Sequence, residues 1–187
     1  MKTAVITFLF LLIQLCASGQ KKSVVHYNGS ALAGALYGAN GMAFEVQAIN
    51  GIRYKGFYAG AGIGLDKYYT KSIPLFAALR KDIRDQKKTP FVYLNIGSNF
   101  PLAKTDGGIT AIDYWYSFKA GNGLYFDSGI GYAVPLAGQL RFLLSLGISL
   151  KDRVEERKWG GYGLVEPHSE TYHYQFRRYS LKAGLTF

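Results

Sequence analysis

The sequence has almost no cysteine, little histidine, and no long apolar run beyond its first residues. Cys16 is the only cysteine among 187 residues, so a chain that loses its N-terminus has neither a disulfide nor a thiol for catalysis. No apolar stretch of 18 or more residues follows the N-terminal segment, which excludes a helical membrane protein. None of the three histidines pairs with another at metal-ligand spacing beside a third ligand. The sequence therefore predicts no metal site and no cofactor.

The N-terminal segment is typical of a secretory signal peptide. Lys2 precedes an apolar run over residues 4–15, and the small residues Ala17, Ser18 and Gly19 follow. This run is too short to span a bilayer. We predict a signal peptide at residues 1–19 and one domain at residues 20–187. A rival interpretation makes Cys16 a lipidation site, although the bulky Leu15 stands before it where a small residue is expected.

The chain is basic, with a formal net charge of +10. Such a balance suits nucleic acid or anionic lipid as a partner. Export argues against nucleic acid, and no segment interleaves basic residues with stacking aromatics as nucleic-acid modules do. Anionic lipid is therefore the expected partner.

Apolar and polar residues alternate over most of the remaining sequence, which predicts β-strands. In residues 42–54, for example, Phe44 and Val46 alternate with Glu45 and Gln47, so one face is apolar and the other is polar. The segments with this pattern are 42–54, 57–69, 74–83, 91–100, 113–134, 140–151 and 177–187. An eighth strand is expected upstream, within residues 24–38, because bacterial barrels have even numbers of strands.

The connections between these segments predict a membrane barrel. Those at residues 55–56, 86–89 and 135–139 are short, whereas those at 101–112 and 152–170 are long. Short turns on one side and long loops on the other are typical of outer-membrane barrels. We predict an all-β fold, an eight-stranded antiparallel up-and-down transmembrane β-barrel. Its loops 101–112 and 152–170 would face outward and could bind an extracellular ligand.

Alternation alone does not say which face points inward, since a soluble sandwich has the same period with its apolar face inside. Here glycines crowd the polar face beside charged residues, which suits a narrow interior where long side chains need room to pair. The sequence therefore predicts an interior charge network. Its residues are Glu45, Arg53, Asp66, Arg80, Asp82, Lys119, Asp127, Arg141 and Lys182.

The last residues, YSLKAGLTF, resemble the C-terminal signature of outer-membrane proteins. The order of AINGIRYKGFYAGAGIGLDKYY, IPLFAALRKD, TPFVYLNIGSNFP, GLYFDSGIGYAV and LLSLGISLK resembles compact outer-membrane β-barrel domain proteins of Bacteroidota-like bacteria, of the OmpA/OmpX size class. The resemblance implies an outer-membrane location, among lipid and lipopolysaccharide. It also implies that the barrel-assembly machinery reads an insertion signal in Tyr179, Leu181, Ala183, Leu185 and Phe187. It supplies no catalytic residue.

The expected function is structural or surface interaction, without enzymatic activity and with an interior plugged by charged side chains. Two alternatives stay open. One is a hydrolase that acts on lipid A through Ser169 with His168 or His173, near Glu166 and Glu170. The other is a small pore of low conductance, although eight strands enclose only enough room for side chains.

Overall fold

The structure is a computed structural model that describes residues 25–39, 41–67, 71–84, 86–102, 106–111, 114–161 and 168–187. The predicted signal peptide and Cys16 lie outside these residues, and so does Glu166. The described strands are β1 His26–Gly38, β2 Gly41–Tyr54, β3 Phe57–Lys67, β4 Lys71–Asp82, β5 Thr89–Pro101, β6 Asp106–Ala111, β7 Tyr114–Gly121, β8 Gly123–Ala137, β9 Leu140–Gly161 and β10 His168–Thr186.

Eight of these strands close into an antiparallel barrel in the order β10, β1, β2, β3, β4, β5, β8, β9, and β9 pairs with β10. This confirms the predicted fold class. Among the described residues, no helix is long and apolar enough to cross a membrane. The connection between Tyr54 and Phe57 is a two-residue turn in which Lys55 and Gly56 both have positive φ, at 45° and 74°. Such primed turns match the twist of paired strands.

The two ends of the barrel differ. We call the end that carries residues 55–56, 83–84, 86–88 and 138–139 the turn end, and the opposite end the extension end. At the extension end β9 and β10 stay paired as far as Trp159 and His168, whereas β1 pairs with β10 only from Tyr179 to Thr186. Strand β7 adds to β9 over residues 154–161, and β6 pairs with β7. These four strands form an antiparallel sheet beyond the barrel, which we call the outer sheet.

The outer sheet corrects the prediction of two long loops. Residues 106–111 and most of residues 152–170 are strand. The prediction failed because residues 155–158, Glu-Glu-Arg-Lys, are all charged and give no apolar period. Pairing with the neighbouring strand, rather than apolar alternation, holds this segment extended.

The run at residues 113–134, predicted as one strand, is interrupted at Asn122. Tyr125 pairs with Lys151, but Gly121 pairs with Val154, so the register on β9 shifts by one residue. Such a bulge reverses which side chains face inward. Lys119 is therefore exposed, and its prediction as an interior residue was wrong.

Phe118 takes the inward position that Lys119 was expected to hold. Its ring lies 5.8 Å from the guanidinium of Arg153, a residue buried on the inner face of β9. Strand β7 thus presents an aromatic ring, and not an ammonium group, to this part of the interior.

The polarity of the barrel wall is inside out. Large apolar side chains face outward, with Phe44 75% exposed and Leu146 59% exposed. Ionic side chains face inward, where Arg80 is 8% exposed and Lys182 is 2% exposed. Soluble proteins rarely expose apolar patches of this extent. The apolar face is therefore the exterior of the cylinder, as the glycine-rich polar face predicts.

Aromatic rings fill the space between the inward charges. Phe76 and Tyr125 meet with their ring centroids 5.2 Å apart. Gly62 makes room for this pair, since a Cβ there would lie 2.4 Å from the Phe76 ring. Gly131 does the same for Phe91, at 2.3 Å. Inward glycines thus accommodate rings as well as charged chains.

Candidate functional site

Among the described residues, most inward-facing ionic groups gather in three clusters along the barrel. At the turn end, Asp82 accepts a hydrogen bond from Arg141 Nη1 at 3.1 Å and another from Arg53. Arg80 Nε lies 3.9 Å from the other carboxylate oxygen, and its guanidinium lies 4.9 Å from the Tyr58 ring centroid. Three cations around one carboxylate leave two positive charges uncompensated in this Asp82 cluster.

The Asp127 cluster lies at mid-barrel, and its central carboxylate is fully buried. Asp127 forms an ion pair with Lys182 Nζ. The hydroxyls of Tyr93 and Tyr125 donate to its two oxygens at 3.1 and 3.3 Å. Several donors on one buried carboxylate compensate for its loss of water.

Glu45 and Gln47 extend the Asp127 cluster across β2. Gln47 Nε2 donates to Glu45 Oε2 and to the Tyr125 hydroxyl, both at 2.9 Å. The other carboxylate oxygen of Glu45 has no hydrogen-bond partner among the described residues. The cluster thus spans β2, β5, β8 and β10.

The Asp66 cluster lies nearer the extension end. Lys151 Nζ forms an ion pair with Asp66 and donates to Ser72 Oγ and Asn99 Oδ1, each at 3.1 Å. Ser72 in turn donates to Asp66 at 2.6 Å. A lysine that is 2% exposed thus has three partners from three different strands.

The sequence prediction missed four inward charges: Lys151, Arg153, Glu155 and Arg178. Lys151 and Arg178 lie on the polar face of predicted strands, so the alternation already indicated that they face inward. Arg153 and Glu155, which pair at 3.0 Å, fall in the stretch predicted as a loop. Of the nine predicted residues, the three clusters contain all except Lys119.

A small cavity remains inside the barrel, between Arg80 and Lys182. Its volume is about 30 Å³, room for about one or two water molecules. Leu32, Ile49 and Leu143 line it along with the two cations. The cavity is far smaller than a solute passage.

The outer sheet carries a stack of three rings on β10, which we call the aromatic ladder: Tyr172, Tyr174 and Phe176. Successive ring centroids lie 6.2 Å apart, with interplanar angles of 18° and 17°. The Arg157 guanidinium lies 4.9 Å from the Tyr172 ring centroid and donates to the Tyr174 hydroxyl at 3.4 Å. The ladder thus continues the inward face of β10 beyond the barrel mouth.

A carboxylate lies beside the ladder. Glu170 accepts hydrogen bonds from the Tyr172 hydroxyl and from His168 Nε2, the latter at 3.2 Å. These bonds lower the pKa of Glu170 below its ordinary value, and the bond to Glu170 raises the pKa of Tyr172. The ring of His168 lies 5.0 Å from that of Trp159. Charged, hydroxyl and aromatic groups therefore share one exposed surface.

The residues of the hydrolase alternative do not converge. Ser169 and His168 are successive residues of one strand, so their side chains point to opposite faces. Ser169 and His173 share a face but are four residues apart, about 13 Å along an extended strand. Among the described residues, no group of three or more His, Cys, Asp or Glu side chains has an arrangement that suits a metal ion.

The predicted C-terminal signal lies on the outward face of β10. The large side chains of Tyr179, Leu181, Leu185 and Phe187 are all exposed, and Ala183 lies between them, half-buried. Residues 179–186 form the seam with β1. The predicted signal residues therefore border the pairing that closes the barrel.

Three solved structures of outer-membrane proteins are similar to this chain. A major outer membrane protein from Thermus thermophilus is 14% identical, covers 87% of this chain and 99% of its own, and has a TM-score of 0.49. AlkL in DMPC lipid bilayers is 12% identical over 87% of either chain, with a TM-score of 0.47. Neisserial surface protein A is 11% identical over 87% of this chain and 95% of its own, with a TM-score of 0.46. No protein-family model and no curated protein matches the sequence. All three TM-scores are below 0.5, and no ligand, partner or location is inferred from these structures.

Proposed function

We propose that this protein is an integral outer-membrane β-barrel with a structural and surface-interaction role, and that it is not an enzyme. The observation that carries the proposal is the inside-out polarity of the wall. Each exposed apolar Å² costs about 25 cal/mol in water, whereas lipid removes that cost. A cylinder with Leu144 and Leu181 outside and Arg80 inside is therefore adapted to a bilayer.

Outward tyrosines at both rims support a membrane-spanning position. Tyr27 and Tyr54 lie at the turn end, and Tyr37 and Tyr179 lie at the extension end. From Tyr27 to Tyr37 the strand has 11 residues, within the about 9–11 that span a bilayer. Aromatic residues prefer the interface between lipid and water. The tyrosines at the two rims therefore lie where the two interfaces between lipid and water would be.

The interior clusters favour a plugged barrel over a pore. Asp82, Asp127 and Asp66 are each tied to cations from other strands, and aromatic rings fill the space between them. The cavity of about 30 Å³ between Arg80 and Lys182 is too small to be a channel. We therefore propose a rigid scaffold, with bilayer lipid and lipopolysaccharide around it and the barrel-assembly machinery as its partner during insertion.

The outer sheet is the proposed interaction surface, facing the cell exterior. Recognition residues are commonly presented at the ends of rigid scaffolds. The aromatic ladder offers flat apolar faces beside the hydrogen-bonding groups of Arg157 and Glu170. Flat apolar faces beside polar groups suit sugar rings, which have an apolar face and polar edges. We propose surface glycan as the ligand class.

The membrane position is tested by cell fractionation and by electrophoresis. The folded barrel is expected in the outer-membrane fraction and to change mobility between unheated and boiled samples. A processed chain that is freely water-soluble would refute the proposal.

The surface role is tested on a glycan array with the purified barrel. Replacing Tyr172 and Tyr174 with Ala is expected to weaken binding about tenfold, since each aromatic contact is worth about 0.5–1.5 kcal/mol beyond its buried area. The matched control replaces Thr171 and His173, which lie on the opposite face of the same strand. An equal loss of glycan binding in both variants, or no glycan binding by the wild type, would argue against the aromatic ladder as the glycan site.

A further inference from the structure

A second candidate site lies at the turn end, away from the outer sheet. A cavity of about 660 Å³ opens there, and we call it the basic vestibule. Its lining residues include His26, Tyr27, Arg53, Arg84, Lys87 and Arg141. This volume falls within the about 300–1,000 Å³ typical of small-molecule sites. The vestibule is therefore large enough for an organic ligand.

The charge of the basic vestibule is unbalanced. Of the carboxylates that the structure describes, Asp82 pairs with these cations, and it already contacts Arg53, Arg80 and Arg141. Among the described residues no carboxylate pairs with Arg84 or Lys87 in the turn above, and Asp85 lies outside those residues. A concave surface with excess positive charge concentrates anions.

One buried donor is left without a partner behind the wall of this cavity. The Arg141 side chain is 8% exposed, and its Nη1 donates to Asp82, but its Nη2 has no hydrogen-bond partner among the described residues. Buried guanidinium N–H groups are normally satisfied, so this orphan leaves the positive charge of Arg141 only partly compensated behind the cavity wall. The Oδ1 of the neighbouring Asn28 already accepts from Thr186 at 2.7 Å and from Arg80 Nη2 at 3.4 Å, which occupies both of its lone pairs.

We propose that the basic vestibule binds a phosphate-bearing ligand, with Arg53, Arg84 and Lys87 as the surrounding cations and with Arg141 adding positive charge at the cavity wall. Arginine forks match the oxygens of phosphate, and lysine adds a point charge. The ligand approaches either from water or from the lipid surface, because Tyr27 and Leu136 at the rim face outward and are exposed. A soluble phosphate ester and a phospholipid headgroup therefore share the same chemistry here.

The test uses the folded protein in a neutral detergent at low ionic strength. Inorganic phosphate and glycerol 3-phosphate are titrated by calorimetry, with sodium chloride as the ionic control. For the lipid source, phosphatidic acid is added to phosphatidylcholine nanodiscs, and lipid retention is followed by native mass spectrometry.

The variants are Arg84→Gln with Lys87→Gln, and separately Arg141→Gln. The control, Lys67→Gln with Lys71→Gln, removes the same charge at the extension end.

Saturable binding is expected, weakened about tenfold or more by the turn variant and unchanged by the control, since hydrogen bonds to charged groups contribute about 1.5–3 kcal/mol each. Binding of the soluble phosphates assigns a soluble ligand, and retention of phosphatidic acid alone assigns a headgroup. If neither probe binds saturably, or both double variants weaken binding equally, the proposal is overturned. If Arg141→Gln does not fold, the turn variant alone decides. The heat-dependent mobility shift of each variant reports the barrel fold separately. Loss of phosphate binding with a normal mobility shift would therefore refute the vestibule proposal without refuting the proposed function.

Discussion

At the residue scale, the interior depends on mutual compensation of buried ions. Asp127 and Lys182 are almost completely buried, so each loses its water on folding. Removing one partner of such a pair leaves the other as an isolated buried charge, which costs more than the pair gains. The pair specifies how β8 and β10 face each other across the barrel.

Replacing Lys182 with Met is expected to destabilise the barrel by about 3–5 kcal/mol, because Asp127 remains buried and unpaired. The free energy of unfolding is measured by urea titration in lipid vesicles, followed by tryptophan fluorescence. Adding Asp127→Asn to this variant is expected to restore part of the loss. For comparison, Lys158→Met breaks an exposed pair with Glu156 and is expected to leave the free energy of unfolding almost unchanged, because solvent screens this pair. Strict additivity of Lys182→Met and Asp127→Asn would contradict this account.

A substitution at Gly62 tests how tightly the aromatic rings pack between the buried ions. A Cβ at residue 62 would lie 2.4 Å from the Phe76 ring, so Gly62→Ala is expected to cost about 1–3 kcal/mol through overpacking. Trimming the ring with Phe76→Leu in the same chain is expected to recover part of this cost. The same unfolding assay measures both variants, and a neutral Gly62→Ala would show that the ring moves freely.

At the element scale, apolar alternation identified the barrel strands but missed the bulge opposite β9 and parts of the outer sheet. Alternation predicted which residues face inward, because every barrel strand has one face toward lipid-like surroundings and one face toward the interior. It missed the bulge at Asn122, because one inserted residue reverses the faces without changing composition. It also missed β6 and the outer half of β9, where residues 155–158 are all charged, and it began the last strand only after Tyr172, Tyr174 and Phe176, although these residues alternate with polar ones. No local pattern shows that such a segment pairs with a distant strand.

The bulge predicts a reversal of accessibility between two neighbours. In a chain lacking Cys16, a cysteine at Lys119 is expected to react quickly with a water-soluble maleimide, and one at Phe118 slowly. Deleting Asn122 removes the extra residue, so the two rates are expected to exchange order. Equal rates in the parent background would argue against the register shift.

The outer sheet predicts a pH dependence for Glu170. Hydrogen bonds from Tyr172 and His168 lower its pKa, so its carboxylate is expected to titrate below its ordinary value of 4.5. Because the folded pKa lies below the unfolded one, these bonds stabilise the sheet above the unfolded value and are lost as pH falls through the folded pKa. Carbon NMR of the side chain measures the titration. Tyr172→Phe is expected to move the pKa back up, and no movement would remove Tyr172 as the cause.

At the scale of the whole molecule, one arrangement explains the composition of the chain. Apolar residues cover the cylinder, ions and rings fill it, and inward glycines make the space. The charged, glycine-rich face of the strands predicted that the polar side chains point inward and the apolar ones outward. It did not predict the basic vestibule, because His26, Arg53, Lys87 and Arg141 converge only when the barrel closes. Sites assembled from several strands and turns depend on closure, which local patterns do not specify.

The most direct test of the inverted polarity is a nitroxide scan along β9, from Leu140 to Ser149, in lipid vesicles. Collision with oxygen, which concentrates in lipid, is measured against collision with a water-soluble nickel complex. We expect labels at even positions such as Leu144 and Leu146 to meet oxygen, and labels at odd positions such as Ser145 and Ser149 to meet neither reagent strongly. Even positions that collide mainly with the nickel complex, or a scan without a period of two, would contradict the proposed barrel in lipid.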